Sequence, residues 1–192
     1  MINCKYTISS MRTIKNLLFI LTSLLFLLSC QQDFKEIVLF DYESDKELDQ
    51  LYWSCHVLYS VSNDHATHGS KSLKLELFPS DYPGMIPVLA VKDWRDYREF
   101  CFDVYNPSEQ VVQLWVRIDD RKNYPDSNDR YENKFVLKEG NNHISIPLES
   151  LITLGSNRHL DLAKIHRLFI YVHHPIKKTT LYVDYILLKK DG

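Results

Sequence analysis

The segment LWVRIDD, Leu114–Asp120, sets three chemically unlike groups side by side. Successive side chains of an extended chain point to opposite faces. Trp115, Arg117 and Asp119 therefore share one face, and Leu114, Val116 and Ile118 share the other. An indole is a flat apolar platform, a guanidinium is a fork of donors, and a carboxylate only accepts. That set suits a polyhydroxylated ligand such as a sugar, whose C–H face stacks on the ring while its hydroxyls meet the charged pair. A second segment, RLFIYVHH, adds Tyr171 and His173 on one face of another strand. Tyr124, Asp129, Arg130 and Tyr131 follow in the loop after Asp119 and could close over the site. The candidate ligand-binding residues are thus Trp115, Arg117, Asp119, Tyr131, Tyr171 and His173. The competing interpretation is a solvated sheet face on which Arg117 pairs with Asp119 or Glu132. Cross-strand pairs of that kind stabilise sheets without binding anything.

Catalytic patterns are missing from the chain. Asp119 and Asp120 are neighbours on a strand and point apart, so they cannot flank a glycosidic bond as two carboxylates about 5–9 Å apart would. No Gly-x-Ser-x-Gly elbow, phosphate loop or His-Glu-x-x-His helix occurs. Of the eight histidines, His65 and His68 fall in a loop, and His173 and His174 point apart if extended. Zinc needs three or four convergent ligands. The expectation is a protein that is not an enzyme. Cys55 and Cys101 lie in strand-like segments with no Cys-x-x-Cys spacing. A bridge between them and a pair of buried free thiols both stay open.

The elements that must position these residues are short strands. Runs rich in Val, Ile, Tyr and Phe alternate with turn residues. They predict strands at Ile37–Tyr42, His56–Val61, Ser72–Phe78, Val88–Val91, Glu99–Tyr105, Gln113–Asp119, Asn133–Leu137, His143–Pro147, Ile165–His173 and Thr180–Lys189. Asp45–Leu51 and Leu148–Leu154 each fit a single helical turn. Such spacing predicts an all-β, two-sheet antiparallel sandwich, or jelly roll. In TLYVDYILL, alternation puts Leu181, Val183, Tyr185 and Leu187 on one face and Tyr182, Asp184 and Ile186 on the other.

The N-terminus has a different character. Lys5, Arg12 and Lys15 precede a twelve-residue apolar run, Leu17–Leu28, broken only by Thr22 and Ser23. A membrane span needs about 20 residues, whereas a secretory signal core takes about 7–15. Leu27-Leu28-Ser29-Cys30 resembles the bacterial lipobox, which implies cleavage before Cys30 and a lipidated N-terminal cysteine. Met11 offers a second start that leaves a leader of ordinary length. Gln31, where an Asp would retain the protein in the inner membrane, points to the outer membrane. The expected organisation is a lipoprotein signal peptide at 1–29, a lipidated cysteine and tether at 30–36, and a jelly-roll domain at 37–192. Residues 1–29 carry three of the 23 Lys and Arg and none of the 25 Asp and Glu, so the remainder is acidic, with a net charge near −5. No basic stripe remains for nucleic acid.

Six ordered pieces carry a further resemblance. They are Phe40-Asp41-Tyr42-Glu43, Thr67-His68-Gly69-Ser70-Lys71-Ser72-Leu73-Lys74, Asp93-Trp94 with Tyr97, Phe102-Asp103-Val104-Tyr105-Asn106-Pro107, Gly140-Asn141-Asn142 with Ile146-Pro147-Leu148, and Leu181-Tyr182-Val183-Asp184-Tyr185-Ile186. Together they resemble the galactose-binding-like jelly rolls that include carbohydrate-binding modules and complex I intermediate-associated proteins. The resemblance implies a structural Ca²⁺ joining the first and last strands. Asp41, Glu43 and Asp184 would be its side-chain ligands, and the turn at His68-Gly69-Ser70 would add carbonyl oxygens, a donor set that suits a hard cation. It also implies either a glycan or another envelope protein as partner, since fold does not fix function.

Overall fold

The computed structural model describes residues 35–123 and 125–190. The expected leader and Cys30 lie outside the described residues. Among the described residues, ten strands form two antiparallel sheets. The first sheet has six strands: β1 (Glu36–Phe40), β2 (Val57–Ser62), β3 (Ser72–Leu77), β5 (Glu99–Asn106), β8 (Gly140–Pro147) and β10 (Thr179–Lys189). The second has four: β4 (Gly84–Met85), β6 (Val112–Asp119), β7 (Tyr131–Leu137) and β9 (Arg167–Val172). The second sheet runs β4-β9-β6-β7, and the first runs β2-β3-β10-β5-β8 with β1 also against β10. β10 is long enough for two neighbours on one edge. Its first half pairs with β3 and its second half with β1, while β5 lies along the other edge.

The alternation read from the sequence explains the core. Leu73, Leu75 and Leu77, Phe100, Phe102 and Val104, and Leu181 and Val183 point inward from the larger sheet. Leu114, Val116, Ile118, Leu168, Ile170 and Val172 meet them from the smaller one. Burying one such side chain contributes on the order of 2 kcal/mol, and a one-residue slip would turn a whole strand's set to solvent. Trp94 fills the space between the sheets without exposed surface, stacked on Phe100, and its Nε1 donates to the Val91 carbonyl (3.1 Å).

β10 departs from strict alternation. Its register with β5 jumps between Asp184 and Leu187, and β1 shifts at the same level between Val38 and Phe40. Tyr185 takes a left-handed backbone (φ +50) in this bulge. One extra residue flips the faces. Ile186 and Leu188 take over the core side, and Leu187 pairs with Cys101 on the outer side. The expected grouping of Tyr185 and Leu187 with Leu181 and Val183 is therefore corrected.

One further expectation changes, and one alternative left open is decided. The strand expected at Val88–Val91 forms earlier, as β4. The residues after β4 pair outward with the chain following the helical turn Asp45–Gln50: Leu51 bridges Pro87, Tyr52 N donates to the Ile86 carbonyl (2.9 Å), and Val88 N donates to the Gln50 carbonyl (2.7 Å). Among the described residues, neither Cys55 nor Cys101 is in a disulfide; Cys101 is buried and Cys55 exposed. β3 and β10 lie between β2 and β5. At about 4.8 Å per strand, that spacing of roughly 14 Å exceeds what a bridge can span.

Candidate functional site

The smaller sheet turns its second face away from the core, and the cross-strand register decides what stands there. Trp115 lies opposite Tyr171 on one side and Lys134 on the other. Tyr171 in turn lies opposite Gly84. A Cβ on Gly84 would fall 2.4 Å from the Tyr171 Cβ, so a residue without one is needed for β4 to lie this close. That approach brings in Tyr82 from the preceding turn. The rings form a run across the strands: Trp115 to Tyr171 at 6.4 Å between centroids, Trp115 to His173 at 6.0 Å, and Tyr82 to His173 at 5.0 Å and to Tyr171 at 5.7 Å. Phe169 stacks on Tyr171 (4.4 Å) from the same strand, and the Lys134 ammonium stands 5.9 Å from the Trp115 ring. His173 and Tyr82 are exposed.

Arg117, Asp119, Arg130 and Glu132 of this face are committed to ion pairs. Asp119 has no exposed surface. Arg117 Nε and Nη2 donate to its two oxygens (2.8 and 2.9 Å), and Arg167 Nη1 donates to Oδ2 (2.5 Å). The expectation that Asp119 offers a free acceptor and Arg117 a free fork is corrected. With register pairing Asp119 to Arg167, the carboxylate satisfies two cations and stiffens the sheet beneath the aromatic run. Next to it, Arg130 Nη2 donates to Glu132, and the Tyr171 hydroxyl donates to Glu132 Oε1 (2.5 Å). Burial, and then the Glu132 carboxylate, hold the Tyr171 phenol above its ordinary value.

Tyr131 is also corrected. It pairs with Ile118, so it faces the core and is 6% exposed. Asp129 is held by Arg158 and Arg121. Of the six expected ligand-binding residues, the structure brings Trp115, Tyr171 and His173 into one aromatic group, sets Arg117 and Asp119 beside it as an ion pair, and withdraws Tyr131. Tyr82, Phe169 and Lys134 join the face without having been anticipated. The turn Tyr82-Pro83-Gly84 is visible in the sequence, but its position against β9 depends on a two-residue strand too short to predict.

The three carboxylates expected to hold calcium sit where β1, β3 and β10 meet. Their oxygens face N–H groups. Asp184 Oδ2 accepts from Thr67 N (2.7 Å) and His68 N (2.9 Å), and Oδ1 accepts from Tyr185 N (2.7 Å). Glu43 Oε1 accepts from Ser70 N (2.7 Å) and Lys71 N (2.8 Å), and Oε2 from the Ser70 hydroxyl (2.9 Å). Asp41 lies 3.6 Å from His68 Nδ1. Gly69 (φ +63) permits this turn, and a Cβ there would fall 2.4 Å from Glu43 Oε1. A cation site would need the turn's carbonyl oxygens aimed inward, and its amides are aimed there instead. Among the described residues no three His, Cys, Asp or Glu side chains converge to hold a metal. The donor set does not fit calcium. The Ser70 and Lys71 amides hold Glu43 below its ordinary pKa, while burial pushes Asp184 up against the amides it accepts from.

No family model matches the chain, and no curated protein does. Solved structures do match. An exo-beta-agarase aligns with a TM-score of 0.65 at 16% identity, covering 81% of this chain and 25% of the agarase, so the chain spans about a quarter of that enzyme's length. The family 11 carbohydrate-binding module from Clostridium thermocellum, solved with a beta-1,3-1,4-mixed-linked tetrasaccharide, aligns at 0.60 with 18% identity, covering 81% of this chain and 95% of the module. A family 27 module from Caldicellulosiruptor saccharolyticus, solved with mannohexaose, aligns at 0.55 with 14% identity, covering 82% and 98%. The chain thus has the jelly-roll fold of carbohydrate-binding modules over most of its length.

Proposed function

We propose that this protein is a non-catalytic, lipid-anchored glycan-binding protein of a bacterial cell envelope. Its binding surface is the outer face of the β4-β9-β6-β7 sheet. The observation that carries this reading is the aromatic run in which Trp115, His173 and Tyr82 surround the Tyr171 ring, which is itself only 4% exposed; the first three supply the stacking surface. Stacking on a sugar needs a ring held rigid at a solvated surface, and the buried Arg117–Asp119–Arg167 group and Glu132 hold these strands and the Tyr171 hydroxyl in place. Two similar folds that fill nearly their own whole length were solved with oligosaccharides, which supports a glycan as the ligand. The sequence signal at Leu27–Cys30 supports the anchor and an outer-membrane address.

A glycan array probed with the full-length protein in detergent, and again with Trp115→Ala, tests this. Selective binding that disappears in the variant, with a melting temperature nearly that of the parent, is the expected result. Loss of folding in the variant would mark Trp115 as structural, and Tyr82→Ala, at an exposed turn, would then carry the test.

A second reading has one observation in its favour. Trp53 is 81% exposed beside exposed Tyr52 and Val88 at the β4 edge. Clustered exposed apolar residues mark protein contacts. A blank array with folded protein would shift the function to an adaptor that holds another envelope protein through this edge.

A further inference from the structure

At one end of the sandwich, the connection from β5 to β6 faces the connection from β9 to β10 across a cleft of about 560 Å³. The first wall carries Ser108, Gln110 and Gln113, and the second carries His173, His174 and Lys177. The described residues lining this cleft include no Asp or Glu, although the chain as a whole is acidic, with a formal charge of −2.

Lys177 is the central group. Its ammonium donates to the Gln110 side-chain carbonyl (2.7 Å), a neutral partner that leaves its charge uncancelled. Lys178 differs, because it pairs with Glu76. The wall holding Gln110 is built in advance. Asn106 is fully buried; its amide donates to the Gln110 backbone carbonyl (2.9 Å) and its oxygen accepts from Ser108 N (3.0 Å). Ser108 Oγ then accepts from Gln110 N (3.0 Å). A lysine bonded to a neutral amide on a hydrogen-bonded turn, with further N–H bonds to give, is suited to an anion, because hydrogen bonds to a charged acceptor are the strong ones.

The cleft and the aromatic run share a residue. His173 lines the cleft, and its ring also lies 6.0 Å from Trp115 and 5.0 Å from Tyr82. His173 thus joins the aromatic run to the mouth of the cleft. We propose that the cleft receives an anionic substituent of the bound glycan, a uronate carboxylate or a sulfate ester, with Lys177 as its counter-charge and Gln113 and His173 as flanking polar groups. This rests on the glycan reading and narrows it to acidic polysaccharides.

The test uses matched polymers that differ only in charge: polygalacturonate against its methyl ester, and a sulfated galactan against its desulfated form. Affinity electrophoresis compares the full-length protein with Lys177→Gln and Trp115→Ala. The expected result is preference for the charged member of one pair, weakened by added salt as screening requires. Lys177→Gln should bind that member about tenfold more weakly, the loss of one charge-assisted hydrogen bond, and bind the neutral member within about twofold of the parent. The pair that discriminates identifies the carboxylate or the sulfate as the group read. Binding to neutral and charged members alike, with Lys177→Gln unchanged, overturns the acidic-glycan proposal and leaves the aromatic face standing. Binding to none of the four overturns it together with the glycan reading of which it is a part.

Discussion

Asp119 shows how a residue of the right type in the right place can serve a different end. It lies on the face that alternation predicts, yet it has no exposed surface and is gripped by Arg117 and Arg167. Removing one member of a buried ionic group leaves its partners uncompensated and costs on the order of 3 kcal/mol. Asp119→Asn keeps the shape and removes the charge. Urea denaturation should show it less stable than the parent by about that amount, and equal stability would mean the carboxylate is in solvent after all. The sequence carried half of this. Side-chain direction follows from position along a strand, but cover over the face comes from Arg167, 48 residues away. The pairing that brings it there is set by packing of β6 on β9. Tyr131 misled for a related reason: it looks like a loop residue after a polar run, and β7 begins on it and turns it inward.

At the scale of elements, strand existence was largely legible and strand irregularity was not. Nine of the described strands need only alternation and turn residues to find, and β4 needs more. The bulge at Tyr185 leaves no such mark, because TLYVDYILL alternates smoothly through it. The bulge and the neighbouring turn create the junction of β1, β3 and β10, where the resemblance implied calcium and the structure supplies amides. Two consequences follow for this junction. Excess EDTA should leave the melting temperature unchanged, and an upward shift on adding calcium would show the turn to present carbonyls instead. Acid should act on Glu43. Its folded-state pKa is lowered by the Ser70 and Lys71 amides, while in the unfolded chain it is about 4.3. The unfolded chain therefore takes up the proton first. The stabilisation is present above about pH 4.3 and is lost as pH falls through the lower folded-state value. Glu43→Gln should be less stable than the parent near neutral pH and should converge with it in acid; a constant difference across that range would remove Glu43 from the acid response.

The whole molecule adds the question of where a sheet face is held. The core of the described residues begins at Phe40 and ends at Leu188. The proposed tether, expected at residues 30–36, loses Glu36 to β1, so residues 30–35 span at most about 22 Å fully extended. Under the proposed function, a domain on so short a leash would meet only glycans within a few tens of ångströms of the bilayer. The proposed anchor would then be part of the specificity as well as of the address. Two or three acyl chains hold a protein on a membrane stably, where one is marginal, and an apolar run of twelve residues is too short to span alone. Cys30→Ser should therefore move the protein from the detergent phase to the aqueous phase in Triton X-114 partitioning, with its thermal unfolding unchanged. Metabolic labelling with palmitate should mark the parent and not the variant. A variant that stays in the detergent phase would assign membrane attachment to the apolar run itself, and the distance constraint on the glycan would then be set by the longer segment that follows that run.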